Sequence, residues 1–108
     1  MEIIKEIQFS EEFIYRLFTR NIISMFGNDL KKCKDEIKRL MIEESVIIDN
    51  PSEKYPNQSW CVINIKGLGL CKIPIAETPK YIKAITIAHP VTDSKCIQGY
   101  NDRINRKQ

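Results

Sequence analysis

The feature that most constrains the fold is an amphipathic pattern that begins at Leu30. Apolar residues recur there at intervals of three and four, which is the spacing of one face of an α-helix. This stripe consists of Leu30, Cys33, Ile37, Leu40 and Met41. Asn28 or Asp29 has a side chain suited to cap the N-terminus. The pattern predicts a helix over residues 28–44, whose apolar face must be buried against another element.

A second amphipathic pattern precedes it in the chain. Ser10 has the side chain of an N-cap, and Glu11 and Glu12 follow where the helix dipole favours negative charge. Four apolar residues then recur at helical spacing: Phe13, Ile14, Leu17 and Phe18. Gly27 is suited to end the helix. We therefore predict a helix over residues 11–26.

The remaining regular segments have the patterns of β-strands. They alternate between apolar and polar residues or are rich in β-branched and aromatic ones. These segments are residues 2–9, 46–48, 59–66, 70–76 and 81–88. The short Gly67-Leu68-Gly69 turn predicts that the third and fourth of these strands form a hairpin.

The predicted elements follow the order β-α-α-β-β-β-β. This order predicts an α+β fold in which two amphipathic helices pack on one face of a mainly antiparallel sheet of four to five strands. We expect the shared core to include Phe13, Leu17, Ile37, Leu40, Val62 and Ile85. A chain of 108 residues suits one domain, which we assign to residues 1–94, with a basic C-terminal tail over residues 95–108.

Composition excludes several classes of protein. The longest apolar runs are far shorter than the roughly 20 residues of a membrane span, so no membrane partner is expected. The N-terminus lacks the pattern of a signal peptide, which predicts a cytoplasmic location. The net charge of +3 permits binding to RNA without demanding it.

The four cysteines are expected to be reduced thiols. They form no C-x-x-C pair and are accompanied by a single histidine, so we predict no metal site and no cofactor. Cys33, Cys61 and Cys71 are predicted to lie in the core, and Cys96 in the tail. Cys61 and Cys71 lie at unequal distances from the hairpin turn, so they are not expected to face each other directly.

His89 is the only histidine, and it lies at the end of the last predicted strand, before Pro90. A neutral imidazole released at the edge of a sheet can act as a general acid or base near neutral pH. The alternative is a histidine packed at the rim of the core and hydrogen-bonded to backbone. Residue type alone favours this second interpretation.

Two arginines form the next candidate group. Arg16 and Arg20 lie one turn apart and can hold a phosphate between them by charge-assisted hydrogen bonds. Glu12 lies one turn before Arg16, however, so an ion pair along the helix explains that arginine without a ligand.

Cations near the hairpin and in the tail could contact nucleic acid. Lys66 and Lys72 flank the hairpin turn, where lysines either contact phosphates or discourage edge-to-edge pairing of sheets. Trp60 is interpreted as a core residue, with a half-exposed stacking platform as the alternative. The tail residues Tyr100, Arg103 and Arg106 can stack on a base and neutralise phosphates, unless the tail is simply frayed.

The stretch IQFSEEFIYRLFTRNI, residues 7–22, resembles the opening of phage ribonucleases of the RegB type. The predicted order of elements also resembles the barnase–colicin–RelE group of small ribonucleases and toxins. The residues that match the strand, F/Y-S, helix, R-x-x-x-R opening are Phe9, Ser10, Arg16 and Arg20. Relatives often have a histidine early in the helix, where this chain has Glu11, Glu12 and Phe13.

The resemblance implies a metal-independent endoribonuclease or a toxin-like RNA-cleaving protein. In that chemistry a base removes the proton of the 2′-hydroxyl, the oxygen attacks the adjacent phosphorus, and cations stabilise the phosphorane. His89 would be the acid or base, and Arg16, Arg20 and Lys66 would supply the cations. The alternative is a non-enzymatic phage or mobile-element protein that binds and inhibits a host protein. A toxin-like fold that binds RNA without cutting it is a third hypothesis.

Overall fold

The structure, a computed structural model, describes residues 6–49 and 58–107. Its elements, in chain order, are β1 (Glu6–Phe9), α1 (Glu11–Thr19), a 3₁₀ helix (Ile22–Phe26), α2 (Leu30–Glu43), β2 (Val46–Asp49), β3 (Gln58–Ile65), β4 (Gly69–Glu77), β5 (Tyr81–Ala84) and α3 (Ser94–Lys107). The α+β class is confirmed. The predicted start of the first strand, at residues 2–5, lies outside the described residues.

The described strands form one sheet in the order β1-β5-β4-β3-β2. Strands β2, β3, β4 and β5 pair antiparallel with their neighbours in the chain, whereas β1 pairs parallel to β5 at one edge. The parallel pair is permitted because the helices and three strands separate β1 from β5 in the chain, which leaves ample length for the crossover. The prediction of a mainly antiparallel sheet is therefore confirmed, although the sheet is mixed.

One face of the sheet, here called the inner face, packs against α1 and α2. Alternate strand residues point into this core, for example Cys61, Ile63 and Ile65 of β3, which are at most 2% exposed. The helices contribute Phe13, Leu17, Cys33, Ile37, Leu40 and Met41. Burying each large aliphatic or aromatic side chain stabilises the fold by about 1.5–3 kcal/mol, so this layer supplies most of the stability.

The helix predicted over residues 11–26 is interrupted. Helix α1 begins as predicted, because Ser10 Oγ accepts a hydrogen bond from the Phe13 N–H at 3.0 Å. It ends at Thr19, and Asn21 adopts the left-handed conformation with φ 55°, which asparagine tolerates better than most residues. The chain then turns into the 3₁₀ helix and places Ile22 and Ile23 in the core. Residue periodicity does not distinguish this arrangement from one continuous helix.

The opposite face of the sheet, here called the outer face, carries α3. This helix occupies the segment predicted as a tail, and it begins where Asp93 Oδ1 accepts hydrogen bonds from the N–H groups of Lys95 and Cys96, at 2.9 and 3.4 Å. Cys96 is fully buried, so it is not an exposed tail thiol. The helix packs on β2 and β3 over a small second core, here called the outer core. It consists of Val62, Cys96 and Tyr100, with Val46, Ile48, Trp60, Leu70 and Val91 around it.

Two residues of the predicted inner core lie elsewhere. Val62 points to the outer face and is buried under α3. Ile85 is only partly buried, because β5 ends at Ala84 and three residues, 85–87, then lie opposite two residues of β4 between the Ala84–Ile75 and Ala88–Lys72 pairs. Such a bulge shifts the alternation by one residue, and Ile87 fills the core in place of Ile85.

The four cysteines are free thiols, and all are buried. Cys61 pairs across the hairpin with Ile73, and Cys71 with Ile63, so the two thiols do not face each other, as predicted. Burial raises the pKa of Cys33 and Cys61 to about 11 and that of Cys71 to about 12. Within residues 6–49 and 58–107, no helix has the length and apolar character that crossing a membrane requires.

Candidate functional site

His89 lies at the corner where the chain leaves the sheet. The preceding residue, Ala88, exchanges two backbone hydrogen bonds with Lys72, at 2.8 and 3.0 Å. The imidazole is partly buried, and its Nε2 lies 3.1 Å from the carbonyl oxygen of Leu68 in the hairpin turn. A carbonyl can only accept, so Nε2 carries the proton and Nδ1 is left as the basic nitrogen of the neutral ring. His89 therefore lies at the rim of the core and is hydrogen-bonded to backbone, which is the interpretation that residue type alone favours.

The two arginines on α1 are not joined to His89. Arg16 lies 3.8 Å from Glu12 and 5.6 Å from the centre of the Tyr15 ring, so the ion pair along the helix is present. Arg20 is exposed and is the C-cap residue that follows α1. Among the residues that the structure describes, no hydrogen bond or ion pair connects either arginine to His89. The predicted catalytic group is therefore not assembled by direct contacts.

Lys66 lines a groove of about 520 Å³ between the end of α2 and Tyr100. The groove is also lined by Arg39, whose guanidinium is held by three carboxylates. These are Glu36 at 2.6 Å, Glu44 at 2.9 Å and Glu43 at 3.0 Å. The hydrogen bond from Arg39 lowers the pKa of Glu36. Since the arginine is already paired with three carboxylates, this groove is unsuited to a phosphate.

The predicted RNA contacts of α3 are mainly structural. Tyr100 is 9% exposed and its ring packs in the outer core, so it cannot stack on a base. Burial also raises the pKa of its phenol. Arg103 donates a hydrogen bond to the carbonyl oxygen of Glu43 at 3.0 Å and ties α3 to the end of α2. Arg106 is exposed and contacts the carbonyl of Asp102 in its own helix at 3.4 Å. Of the three, Arg106 is the one best placed to meet a ligand.

Lys72 has a different environment, on the outer face beside Trp60. Its ammonium nitrogen lies 4.4 Å from the centre of the Trp60 ring, well within the range of a cation–π contact. Trp60 packs against the small outer core but remains partly exposed, which corrects its interpretation as a core residue. A half-covered indole with an ammonium over its ring combines an aromatic surface and a positive charge at one point.

The outer face continues beyond Trp60 toward the β1 edge. Helix α3 contacts β2 and β3, and no other described element covers the outer side of β5 and β1. The register aligns four residues in one row across β3, β4, β5 and β1: Gln58, Ala76, Lys83 and Gln8. Lys83 and Gln8 are exposed. With strands about 4.8 Å apart, this row is about 14 Å long.

Two further pairs border the row. On one side Trp60 faces Pro74, and on the other side the partly exposed Tyr81 faces Glu6. The uncovered surface therefore combines two aromatic rings, the ammonium groups of Lys72 and Lys83, and two amide side chains. Glu6 is the one acidic group that the described strands place on this surface. We refer to the row together with Trp60, Lys72 and Tyr81 as the outer platform.

Sequence reasoning identified Lys72 and noted Trp60, but it missed Lys83, Gln8 and Gln58. The alternation in Tyr81-Ile82-Lys83-Ala84 already indicates that Lys83 faces away from the buried Ile82. The sequence pattern does not reveal the register that places Lys83 beside Gln8, because β1 and β5 are distant in the chain. The position of α3 was also needed to show which part of the outer face stays open.

Comparison with protein-family models, with curated protein sequences and with solved structures yields no match for this chain. The resemblance to small ribonucleases therefore stays a prediction. Among residues 6–49 and 58–107, no group of three or more histidine, cysteine, aspartate or glutamate side chains could hold a metal ion.

Proposed function

We propose that the protein binds single-stranded RNA across the outer platform. The observation that carries this proposal is the partly exposed Trp60 with the Lys72 ammonium 4.4 Å from its ring centre, on a sheet face that α3 leaves open. Proteins bind single strands by stacking bases on aromatic side chains while nearby cations meet the phosphates. Trp60 and Lys72 supply an aromatic ring and a cation at the same place.

The geometry of the row favours a short segment of ligand. A length of about 14 Å across four strands suits the two or three bases that a sheet surface commonly stacks. Trp60 and Tyr81 would carry bases, Lys83 would meet a phosphate between them, and Lys72 would meet a phosphate on the far side of Trp60. A duplex is disfavoured because its bases are already stacked on one another and cannot reach the rings.

The amide side chains favour RNA over DNA. Gln8 and Gln58 each offer one acceptor and two donated hydrogens, and both lie in the row with Lys83. A ribose 2′-hydroxyl can donate to or accept from such a group, and deoxyribose has no equivalent. Binding is the activity proposed for this surface, and cleavage requires a separate test.

Trp60 makes the test direct because it is the only tryptophan in the chain. Titration with single-stranded oligoribonucleotides should change its fluorescence, and the matching duplex and oligodeoxyribonucleotide should do so less. Replacing Trp60 with Leu, which keeps an apolar group over the outer core, should weaken binding of labelled RNA about 5- to 150-fold, since a stacked base contributes about 1–3 kcal/mol. Absence of any fluorescence change at low salt contradicts the proposal.

The cations provide matched variants. Lys83→Ala and Lys72→Ala should each lower the slope of log affinity against log salt by about 0.7, the value for one phosphate contact on a single strand. Lys32→Ala removes the same charge from an exposed residue of α2 and should leave the slope unchanged. Glu6→Gln removes a repulsive charge beside Tyr81 and should tighten binding. If Lys32→Ala weakens binding as much as Lys83→Ala does, the interaction is not located on the platform.

A further inference from the structure

The register of the sheet places Ala76 midway between the two aromatic rings of the outer platform. Ala76 pairs with Gln58 of β3 on one side and with Lys83 of β5 on the other. Trp60 lies two residues after Gln58, and Tyr81 lies two residues before Lys83. Because β3 and β5 both run antiparallel to β4, the two rings lie on opposite diagonals from Ala76. Each diagonal spans about 7–8 Å, so the backbone positions that carry the rings are about 15 Å apart.

The small side chain of Ala76 leaves room for a base between the rings. Ala76 is partly exposed, and its neighbours in the row, Gln58 and Lys83, each lie about 4.8 Å away on the adjacent strands. Lys83 attracts the phosphate backbone to its side, so the base of this nucleotide points toward Gln58. Among residues 6–49 and 58–107, no group forms a hydrogen bond with the side-chain amide of Gln58, which leaves that amide available to the base.

The Gln58 amide fits adenine better than it fits the other bases. It offers an acceptor beside a donor, which matches the N6 amino group and an adjacent ring nitrogen of adenine. Adenine has this donor–acceptor pair on both its Watson–Crick and its Hoogsteen edge, through N1 and N7 respectively. Guanine has only acceptors, O6 and N7, on its Hoogsteen edge, and cytosine and uracil have such a pair on the Watson–Crick edge alone. Adenine therefore meets the amide with whichever edge the bound strand turns toward it.

On the basis of the RNA binding proposed above, we propose that the outer platform recognises three consecutive nucleotides with adenine at the centre. The outer two bases stack on Trp60 and Tyr81 whatever their identity, because every base has a π face. The central adenine lies over Ala76 and forms two hydrogen bonds with Gln58. The rings thus supply affinity, and one amide supplies the sequence preference.

The length of the ligand tests the spacing of the rings. A dinucleotide can occupy one ring and the central position, but it cannot occupy both rings. Titration of Trp60 fluorescence should therefore show that U-A-U binds about 5- to 150-fold more tightly than U-A, the gain expected from one further stacked base. Affinity that does not rise at the third nucleotide overturns the three-nucleotide arrangement.

The identity of the central base tests the role of the amide. U-A-U should bind about 5- to 150-fold more tightly than U-G-U, U-C-U or U-U-U, the discrimination typical of a bidentate contact to a base. A central purine that lacks the 6-amino group should lose this advantage, because it keeps N1 and N7 but has no donor beside them. This comparison uses the unaltered protein, so it does not depend on the folding of any variant.

Two glutamine variants locate the preference. Gln58→Leu should bind the four trinucleotides with similar affinities. Gln8→Leu is the matched variant, because it removes the same amide from the other side of Lys83 and should change all four affinities alike. Equal affinities in the wild type, a preference for another base, or a preference that persists in Gln58→Leu overturns the proposal. A fluorescence change shared by all four trinucleotides would still uphold RNA binding by the platform, whereas no change with any of them removes both proposals.

Discussion

The inner and outer faces of the sheet are covered to very different extents. Six of the strand isoleucines that point at the inner helix layer are at most 3% exposed, namely Ile7, Ile63, Ile65, Ile73, Ile75 and Ile82. On the outer face, Val62 is the one strand residue buried to that degree among those described, and the area toward β1 carries charged and amide side chains. Stability and recognition are therefore separated in this fold. One face is closed by packing, and the other keeps a polar, partly aromatic surface in solvent.

The largest expected effect concerns His89 and would break this division of roles. If the protein cleaves RNA, as the resemblance implies, a positioned proton transfer contributes about 10²–10⁴-fold in rate, and His89→Ala should lower cleavage by that factor. The assay uses purified protein, single-stranded and structured RNA, and excess chelator. Binding of RNA should persist in the variant, because His89 is not part of the outer platform. Undiminished cleavage by the variant, or no cleavage by the wild type, removes the catalytic assignment.

The difference in packing between the faces can be measured with isoleucine variants. Ile63 is fully buried on the inner face, and Ile63→Ala should lower the free energy of unfolding by about 2–5 kcal/mol, the usual cost of an apolar cavity. Ile48 is partly buried beside α3, and Ile48→Ala should cost about half as much or less, because solvent and a single helix can adjust. Chemical denaturation gives both values. Equal losses would show that the outer core is packed as tightly as the inner one.

Gly99 controls how closely α3 approaches the outer face. A Cβ atom at this position would lie 2.6 Å from Cδ1 of Ile48, well inside van der Waals contact. Gly99→Val should therefore destabilise the protein by about 1–3 kcal/mol through overpacking. Combining it with Ile48→Ala should recover part of the loss, since the smaller side chain makes room. Additive losses in the double variant would place the strain elsewhere.

The last expected effect appears only at alkaline pH, and it comes from the inner face. Burial raises the pKa of Cys71 from its ordinary value of 9.0 to about 12, so the folded protein keeps a proton that the unfolded chain releases. The stabilisation is complete below pH 9 and is lost as the pH rises from there toward 12. Cys71→Ala should make unfolding less sensitive to pH in this range, as denaturation at a series of pH values would show. An unchanged slope would mean that other groups cause the alkaline loss.

Sequence periodicity predicted the inner layer well because its signal is dense. Helix α2 has an apolar residue at every turn of one face, and β3 and β4 contain β-branched residues on their buried face, so all three elements were placed correctly. Helix α3 was missed because Cys96 and Tyr100 are its only buried residues among those described, and a stripe of two residues does not stand out from a polar tail. The break at Asn21 depends on one backbone conformation that periodicity does not report.

The candidate site was only partly predictable for a related reason. Lys72 was predicted as a cation near the hairpin. Its suitability for binding RNA depends on its contact with Trp60, and that contact requires the pairing of β3 with β4. Lys83 and Gln8 become neighbours through a parallel pair whose strands are separated by most of the chain. Tyr100 and Arg103 were predicted to bind RNA because of their side-chain types. The same types also hold a helix against the rest of a fold, and the contacts of these two residues show that second role.

The hydrogen bond from Arg103 to the Glu43 carbonyl joins the helix layers of both faces without passing through the sheet. It lies where α2 leads into β2, an edge strand of the sheet. Exposed edge strands recruit strands from other molecules and so promote aggregation. By holding α3 against the end of α2, Arg103 is expected to limit such an approach at β2. Replacing Arg103 with Ala should therefore increase aggregation at high protein concentration, which light scattering would show.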